Sequence, residues 1–185
     1  MRFGRSARYE LNRDKFLSES EVQSFEAVLK RMIALSESER DALLMLICLH
    51  TGGRANEVLN LKKSDFDPKN HSLYLRGLKG SMSREIPVPR WVGKILERFC
   101  VEKYPNDRIF PITYNRLRQI WLLYRPAQKK LHALRHTFAM RLYLKHRDVR
   151  LLQLALGHRS VGNTMIYIEF VYTLTDLQRL IRKGG

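Results

Sequence analysis

The sequence predicts an α+β domain, mostly α-helix with a small antiparallel β-sheet inserted early in the chain. Three observations lead there. Apolar residues recur at helical spacing at Val22, Phe25, Leu29, Met32 and Ile33. Two Ser-Glu-Ser-Glu runs, at 18–21 and 36–39, have the pattern of a capping box opening a helix. From Asp65 the periodicity turns strand-like, with glycines and prolines as punctuation.

Residues 1–16 hold Arg2, Arg5, Arg8, Arg13 and Lys15 with few apolar positions and are expected to form a basic arm or linker. Helix follows from Ser18, with Leu17 and Val22 spaced as a hydrophobic staple. The second box opens a helix whose segment 43–49 is apolar nearly all round, hence buried, and Gly52 and Gly53 end it. A short helix over 54–61 turns Val58, Leu59 and Leu61 inward. Strands at 72–75 and 85–88 flank Gly77-Leu78-Lys79-Gly80-Ser81, a hairpin-like connection, and Pro87 and Pro89 indicate an edge strand and its stop. Helices resume at 91–102, 114–124, 134–145, 149–156 (stopped by Gly157) and 162–171 (behind Ser160), and a tail helix is expected at 176–182.

At 185 residues this is one domain, or one domain and an arm, with 44% hydrophobic residues to fill a core. The longest apolar run, 42–49, is too short to span a bilayer, and no signal-peptide apolar stretch is visible. Cys48 and Cys100 show no metal-binding spacing, which favours a reduced, cytoplasmic setting. The net charge of +16 is unevenly placed: residues 1–70 carry 12 Lys/Arg against 11 Asp/Glu, and residues 71–185 carry 22 against 7. Such asymmetry shapes a field for a polyanion, and without a basic amphipathic helix bearing an aromatic face, nucleic acid is favoured over a membrane.

Several residues then suggest phosphodiester chemistry. Arg54 follows the Gly52-Gly53 turn, and Arg135 lies three residues after His132 on one helix face. Guanidinium is planar, always charged and bidentate, so a pair of arginines can neutralise the two non-bridging oxygens where a metal would otherwise serve. His132 and His158 titrate near neutrality and suit proton transfer or hydrogen bonding to phosphate. Tyr167 is the candidate nucleophile and Tyr172 its rival, although a single buried tyrosine is ordinarily a packing residue. Lys79, on a glycine-flanked tip, could protonate a departing 5′ oxygen, or merely touch a phosphate. Glu57 could orient Arg54 or a histidine. His136 makes an i, i+4 pair with His132, but no third ligand is visible, so it is expected to pack or support rather than bind zinc.

Taken together, these pieces resemble the catalytic domain of the tyrosine recombinases, the phage integrase family. Thr51-Gly52-Gly53-Arg54-Ala55-Asn56-Glu57 resembles its first arginine box, and residues 77–88 its lysine-bearing hairpin. His132-Ala133-Leu134-Arg135-His136 resembles its His-x-x-Arg box, and Leu156-Gly157-His158 with Tyr167 its final histidine and nucleophile at a nine-residue interval. The resemblance covers residues 17–172 and implies the tyrosine recombinase catalytic-domain fold. It implies a site-specific recombinase that cleaves and rejoins DNA through a 3′-phosphotyrosyl intermediate with a free 5′-hydroxyl, using Arg54, Lys79, His132, Arg135, His158 and Tyr167, with Glu57 in support. No metal or cofactor is expected. The implied partners are double-stranded DNA, a homotetramer on two DNA sites (a monomer off DNA) and accessory DNA-bending proteins. The implied setting is cytoplasmic and nucleoid-associated, in a bacterium, phage or mobile element. Residues 173–185 would form a tail helix docking on a neighbouring subunit.

Most members carry a further N-terminal DNA-binding domain, whereas about 16 residues precede the catalytic region here. A short recombinase or a catalytic fragment would each bind DNA weakly and with strong salt dependence as a monomer. A type IB topoisomerase-like enzyme, or a catalytically silent DNA-binding regulator on the same scaffold, are the competing expectations.

Overall fold

The computed structural model describes residues 11–78, 80–172 and 181–182. Helix α1 (Glu19–Ala34) starts as expected: the Ser18 hydroxyl accepts from the Glu21 amide at 3.2 Å, and the Glu21 carboxylate accepts from the Ser18 amide at 2.7 Å. Its apolar stripe lies against α2 (Glu39–Thr51), whose residues 42–49 are all buried. The second capping box does not form. Ser38 takes a left-handed conformation (φ 54°) and makes no side-chain cap, because a capping hydroxyl reaches the first-turn amides only from an extended backbone. Ser36 is also left-handed, and the reversal is closed instead by Ser36 N–H donating to Ile33 O and Glu37 N–H to Met32 O. Gly52 ends α2 at φ 58°, where an added Cβ would lie 2.3 Å from the Phe138 ring.

Helix α3 (Ala55–Leu59) is shorter than the sequence suggested, with Arg54 as its N-cap. The sheet that follows is antiparallel in the order β1 (Phe66–Asp67), β2 (Ser72–Leu75), β3 (Arg84–Pro87). Leu73 faces Ile86 and Leu75 faces Arg84 across the β2–β3 ladder, and Pro87 sits at the end of edge strand β3, where a missing N–H is tolerated. Two-residue β1 lies where the pattern turns strand-like after Asp65, but it is too short to show bounds of its own. Lys79 and most of the predicted tail helix lie outside the described residues.

The remaining helices are α4 (Arg90–Phe99), α5 (Tyr114–Tyr124), α6 (Ala133–His146), α7 (Val149–Leu156) and α8 (Gly162–Val171). Helix α4 stops short of residue 102 because Cys100 and Val101 pass into successive tight turns. One hydrophobic core is built on α1, α2, the sheet, α4 and α5. A smaller one joins Ala139, Met140 and Tyr143 of α6 to Leu152 and Leu156 of α7 and Tyr167 of α8. The last residues of the expected arm are not simply extended: residues 13–15 form a 3₁₀ turn, Leu11 is buried in the smaller core, and Phe16 meets Phe170 edge-to-face at 5.2 Å.

Because α2 is enclosed on all sides, Leu46→Ala is expected to lower the unfolding free energy by about 2–5 kcal/mol. Denaturant titration checks this against Leu35→Ala, an exposed site expected to change stability by under about 0.5 kcal/mol.

Candidate active site

The turn at Gly52 delivers Arg54 to the start of α3. There the Glu57 carboxylate accepts from the Arg54 amide at 2.9 Å and from its guanidinium Nη1 at 3.2 Å. Arg54 Nη1 also donates to Ser81 Oγ at 2.7 Å, joining this turn to the hairpin. Glu57 is buried and takes a third bond, from Arg84 Nη2 at 2.9 Å. Burial alone would raise its pKa, but the bonds from Arg84 and the Arg54 amide outweigh that and hold the carboxyl below its ordinary value. Arg84 escaped the sequence reading. Its signal was an arginine on the inward face of β3, two residues from Ile86, where a carboxylate partner offsets the cost of burying its charge.

The hairpin is anchored on the turn after α7. Met82 N–H donates to Gly157 O at 2.9 Å, and Arg84 Nε donates to Ala155 O at 2.7 Å. Gly157 has φ 66°, and a Cβ there would lie 2.6 Å from Met82 O, so a side chain would push the hairpin away. This docking sets Met82 and Arg84 of the hairpin against the turn that carries His158.

Arg135 lies at the centre of the site and is 3% exposed. Its Nη1 donates to Gly52 O at 2.6 Å, and its Nη2 donates to Leu156 O at 2.8 Å and to His158 Nε2 at 3.0 Å. All three acceptors are neutral, and Arg135 forms no ion pair among the described residues. Burial and the nearby Arg54 charge push its pKa down to about 10, so it stays cationic at neutral pH. Among the described residues, Arg54 and Arg84 bond the Glu57 carboxylate and Arg135 lies within reach of all three charges; the four together sum to +2.

The three histidines of this site are held in the neutral form. Desolvation, then the charges of Arg135 and Arg54, push His132 and His158 down to about 4. Desolvation with His132 and Arg135 nearby takes His136 to about 3. His132 keeps a solvent-exposed side, and its ring meets His136 edge-on at 4.7 Å. The phenolic oxygen of Tyr167 lies 3.0 Å from His136 Nδ1, and the residue is only 2% exposed. Arg54, Arg135, His158 and Glu57 are therefore together, with His132 at their edge. Tyr167 is next to them but turned onto His136, whose Nδ1 is a hydrogen-bond partner of its phenol. A pocket of about 70 Å³ lies beside Gly53, His132 and Arg135. It adjoins a wider groove of about 370 Å³ that carries Arg118, Arg125, Lys129 and Lys130.

The profile of the phage integrase family matches residues 15–172. The chain belongs to that family. Among its relatives, tyrosine recombinase XerA of Pyrococcus horikoshii is 29% identical over 183 residues, covering 92% of this chain and 61% of that protein. Tyrosine recombinase XerH of Helicobacter pylori is 32% identical over 184 residues, covering 89% of this chain and 49% of that protein. The chain thus spans about half to three fifths of these family members. A crystal structure of XerH bound to its difH substrate in a pre-cleavage complex superposes with a TM-score of 0.72 at 30% identity, over 96% of this chain and 55% of that one. The catalytic domain of bacteriophage HP1 integrase shares the fold, with a TM-score of 0.64 at 24% identity, covering 90% of this chain and 93% of that one.

The depressed histidines make stability depend on pH. His50, His136 and His158 are neutral when folded and have pKa values of about 4, 3 and 4, against 6.5 when unfolded. Below pH 6.5 the unfolded chain binds more protons, so stability is complete above that value and declines as pH falls toward 4. Glu57, also depressed, adds a loss at still lower pH. Calorimetry should record a falling Tm from pH 6.5 to 4, with a shallower fall in His136→Gln; a flat Tm would contradict this.

Proposed function

We propose that this chain cleaves and rejoins DNA strands at specific sites through a covalent 3′-phosphotyrosyl link. The carrying observation is the buried Arg135 guanidinium, which has only neutral partners beside Arg54 and His158. An uncompensated buried cation is costly, and a phosphodiester entering the adjoining pocket would relieve it. The surplus of +2 also suits the charge that accumulates on phosphorus during in-line attack.

In this reading Arg54 and Arg135 bind the non-bridging oxygens and Glu57 fixes Arg54. The Tyr167 oxygen attacks phosphorus, its O–H proton passes to a histidine, and the bond from phosphorus to the 5′ oxygen breaks. Lys79 supplies the proton that the 5′ oxygen takes up. His132 and His158 carry protons or bond the phosphate. Rejoining runs the same steps backward from a 5′-hydroxyl, so bond energy is conserved and no metal or cofactor is required. For the attack Tyr167 must leave His136. Ile166, Ile168, Phe170 and Val171 pack around it on the smaller core, so the movement must re-cover apolar surface while Thr164, at the start of α8, stays on His158.

Double-stranded DNA as the partner is supported by the +16 charge and the basic groove beside His132. The XerH structure with its difH substrate supports a sequence-specific target. A homotetramer on two sites, with accessory bending proteins, completes the proposal.

Nicked suicide DNA carrying the cognate site should trap a covalent adduct that disappears in Tyr167→Phe. Arg135→Ala and Arg54→Ala should each cut cleavage by roughly 10²-fold or more, while DNA binding falls much less. Equal loss of both would mean that the arginines only hold the backbone. EDTA should leave cleavage intact; inhibition reversed by Mg²⁺ would contradict the arginine mechanism. Relaxation of supercoils without recombinant product would favour the topoisomerase-like alternative.

A further inference from the structure

We infer that Thr164 is a positioning residue: it fixes the proton of His158 on Nδ1 and so presents Nε2 to the site as a proton acceptor. The assignment follows from the two neighbours of the ring. Arg135 Nη2 lies 3.0 Å from His158 Nε2, and a guanidinium can only donate, so Nε2 offers its lone pair. A neutral imidazole carries one proton, which must then sit on Nδ1. That nitrogen is 3.0 Å from Thr164 Oγ1, to which it donates. His158 is held near a pKa of about 4, so the neutral form prevails at pH 7.

The backbone that carries the ring is also held in place. The His158 amide donates to Gln153 O at 3.0 Å, and Gln153 Nε2 donates back to His158 O at 3.0 Å, clamping the backbone on both sides. Thr164 is fully buried in the first turn of α8, where its own amide donates to Val161 O at 2.7 Å. It stands three residues before Tyr167, so the helix that carries the phenol also sets the tautomer of the histidine.

The consequence rests on the strand-cleavage reading above. When a phosphate draws Arg135 onto its oxygens, Nε2 is left as a basic nitrogen in the site. The phenolic O–H bond of Tyr167 breaks and its proton moves to Nε2 as the oxygen–phosphorus bond forms. The resulting imidazolium donates to a phosphoryl oxygen and returns the proton to the phenol on rejoining.

The full chain labelled with ¹⁵N-histidine tests this by long-range ¹H–¹⁵N correlation at pH 7, with His158 assigned by its loss in His158→Gln. The expected spectrum shows the proton on Nδ1 in the wild type and in Thr164→Ser, and a shift toward Nε2 in Thr164→Val. Cleavage of suicide DNA should fall about tenfold in Thr164→Val, the worth of one neutral hydrogen bond, and be retained in Thr164→Ser. A wild-type His158 protonated on Nε2, or an unchanged tautomer in Thr164→Val, overturns the assignment. Should Thr164→Val fail to fold, the wild-type and Thr164→Ser spectra decide the matter. A chain that cuts no DNA yet keeps its Nδ1 proton upholds the assignment and counts against the strand-cleavage reading instead.

Discussion

A single buried guanidinium organises this site. Arg135 reaches from α6 to the carbonyl that ends α2, to the carbonyl that ends α7, and to the imidazole of His158. The two carbonyls lie at helix C-termini, where the last oxygens lack a donor within the helix. The arginine therefore closes the ends of two helices and holds the His158 ring while forming no ion pair of its own among the described residues. Structural demand and the proposed chemical use coincide in one residue, because the dipoles that hold the cation do not cancel it.

Glu57 plays the opposite part. It takes bonds from the Arg54 amide, the Arg54 side chain and Arg84, so one buried carboxylate offsets one of three neighbouring positive charges. Without it, Arg54 and Arg84 would repel each other across the junction of turn and hairpin. The hairpin, tied through Ser81, Met82 and Arg84 to the Gly157 turn, is thereby held at the same place as His158. Tyr167 is kept apart by contacts of a different kind, with His136 and the small apolar core, while Thr164 at the start of the same helix is bonded to His158 and couples α8 to the cationic centre.

Much of this was legible in the sequence where local chemistry decides structure. Helices α5, α7 and α8 match their expected bounds because Thr113 and Asp148 cap the first two and Gly157 ends α7 in a left-handed residue. The Ser18 box formed because its backbone is extended. The one at residues 36–39 did not, since the tight reversal between α1 and α2 demanded left-handed serines. Arg54, Arg135 and His158 were readable from their motifs, but Arg84 was not, because its role depends on a carboxylate 27 residues away. The packing of Tyr167 on His136 was illegible for the same reason: it is set by how α8 lies on α6, not by spacing along the chain.

The account turns on a phenol that leaves His136 for a phosphorus held by Arg135. Peptide mapping of the trapped protein–DNA adduct by mass spectrometry addresses this most directly. The account predicts that the nucleotide mass is carried by the residue Tyr167. Attachment at Tyr172 or at any other side chain would contradict it.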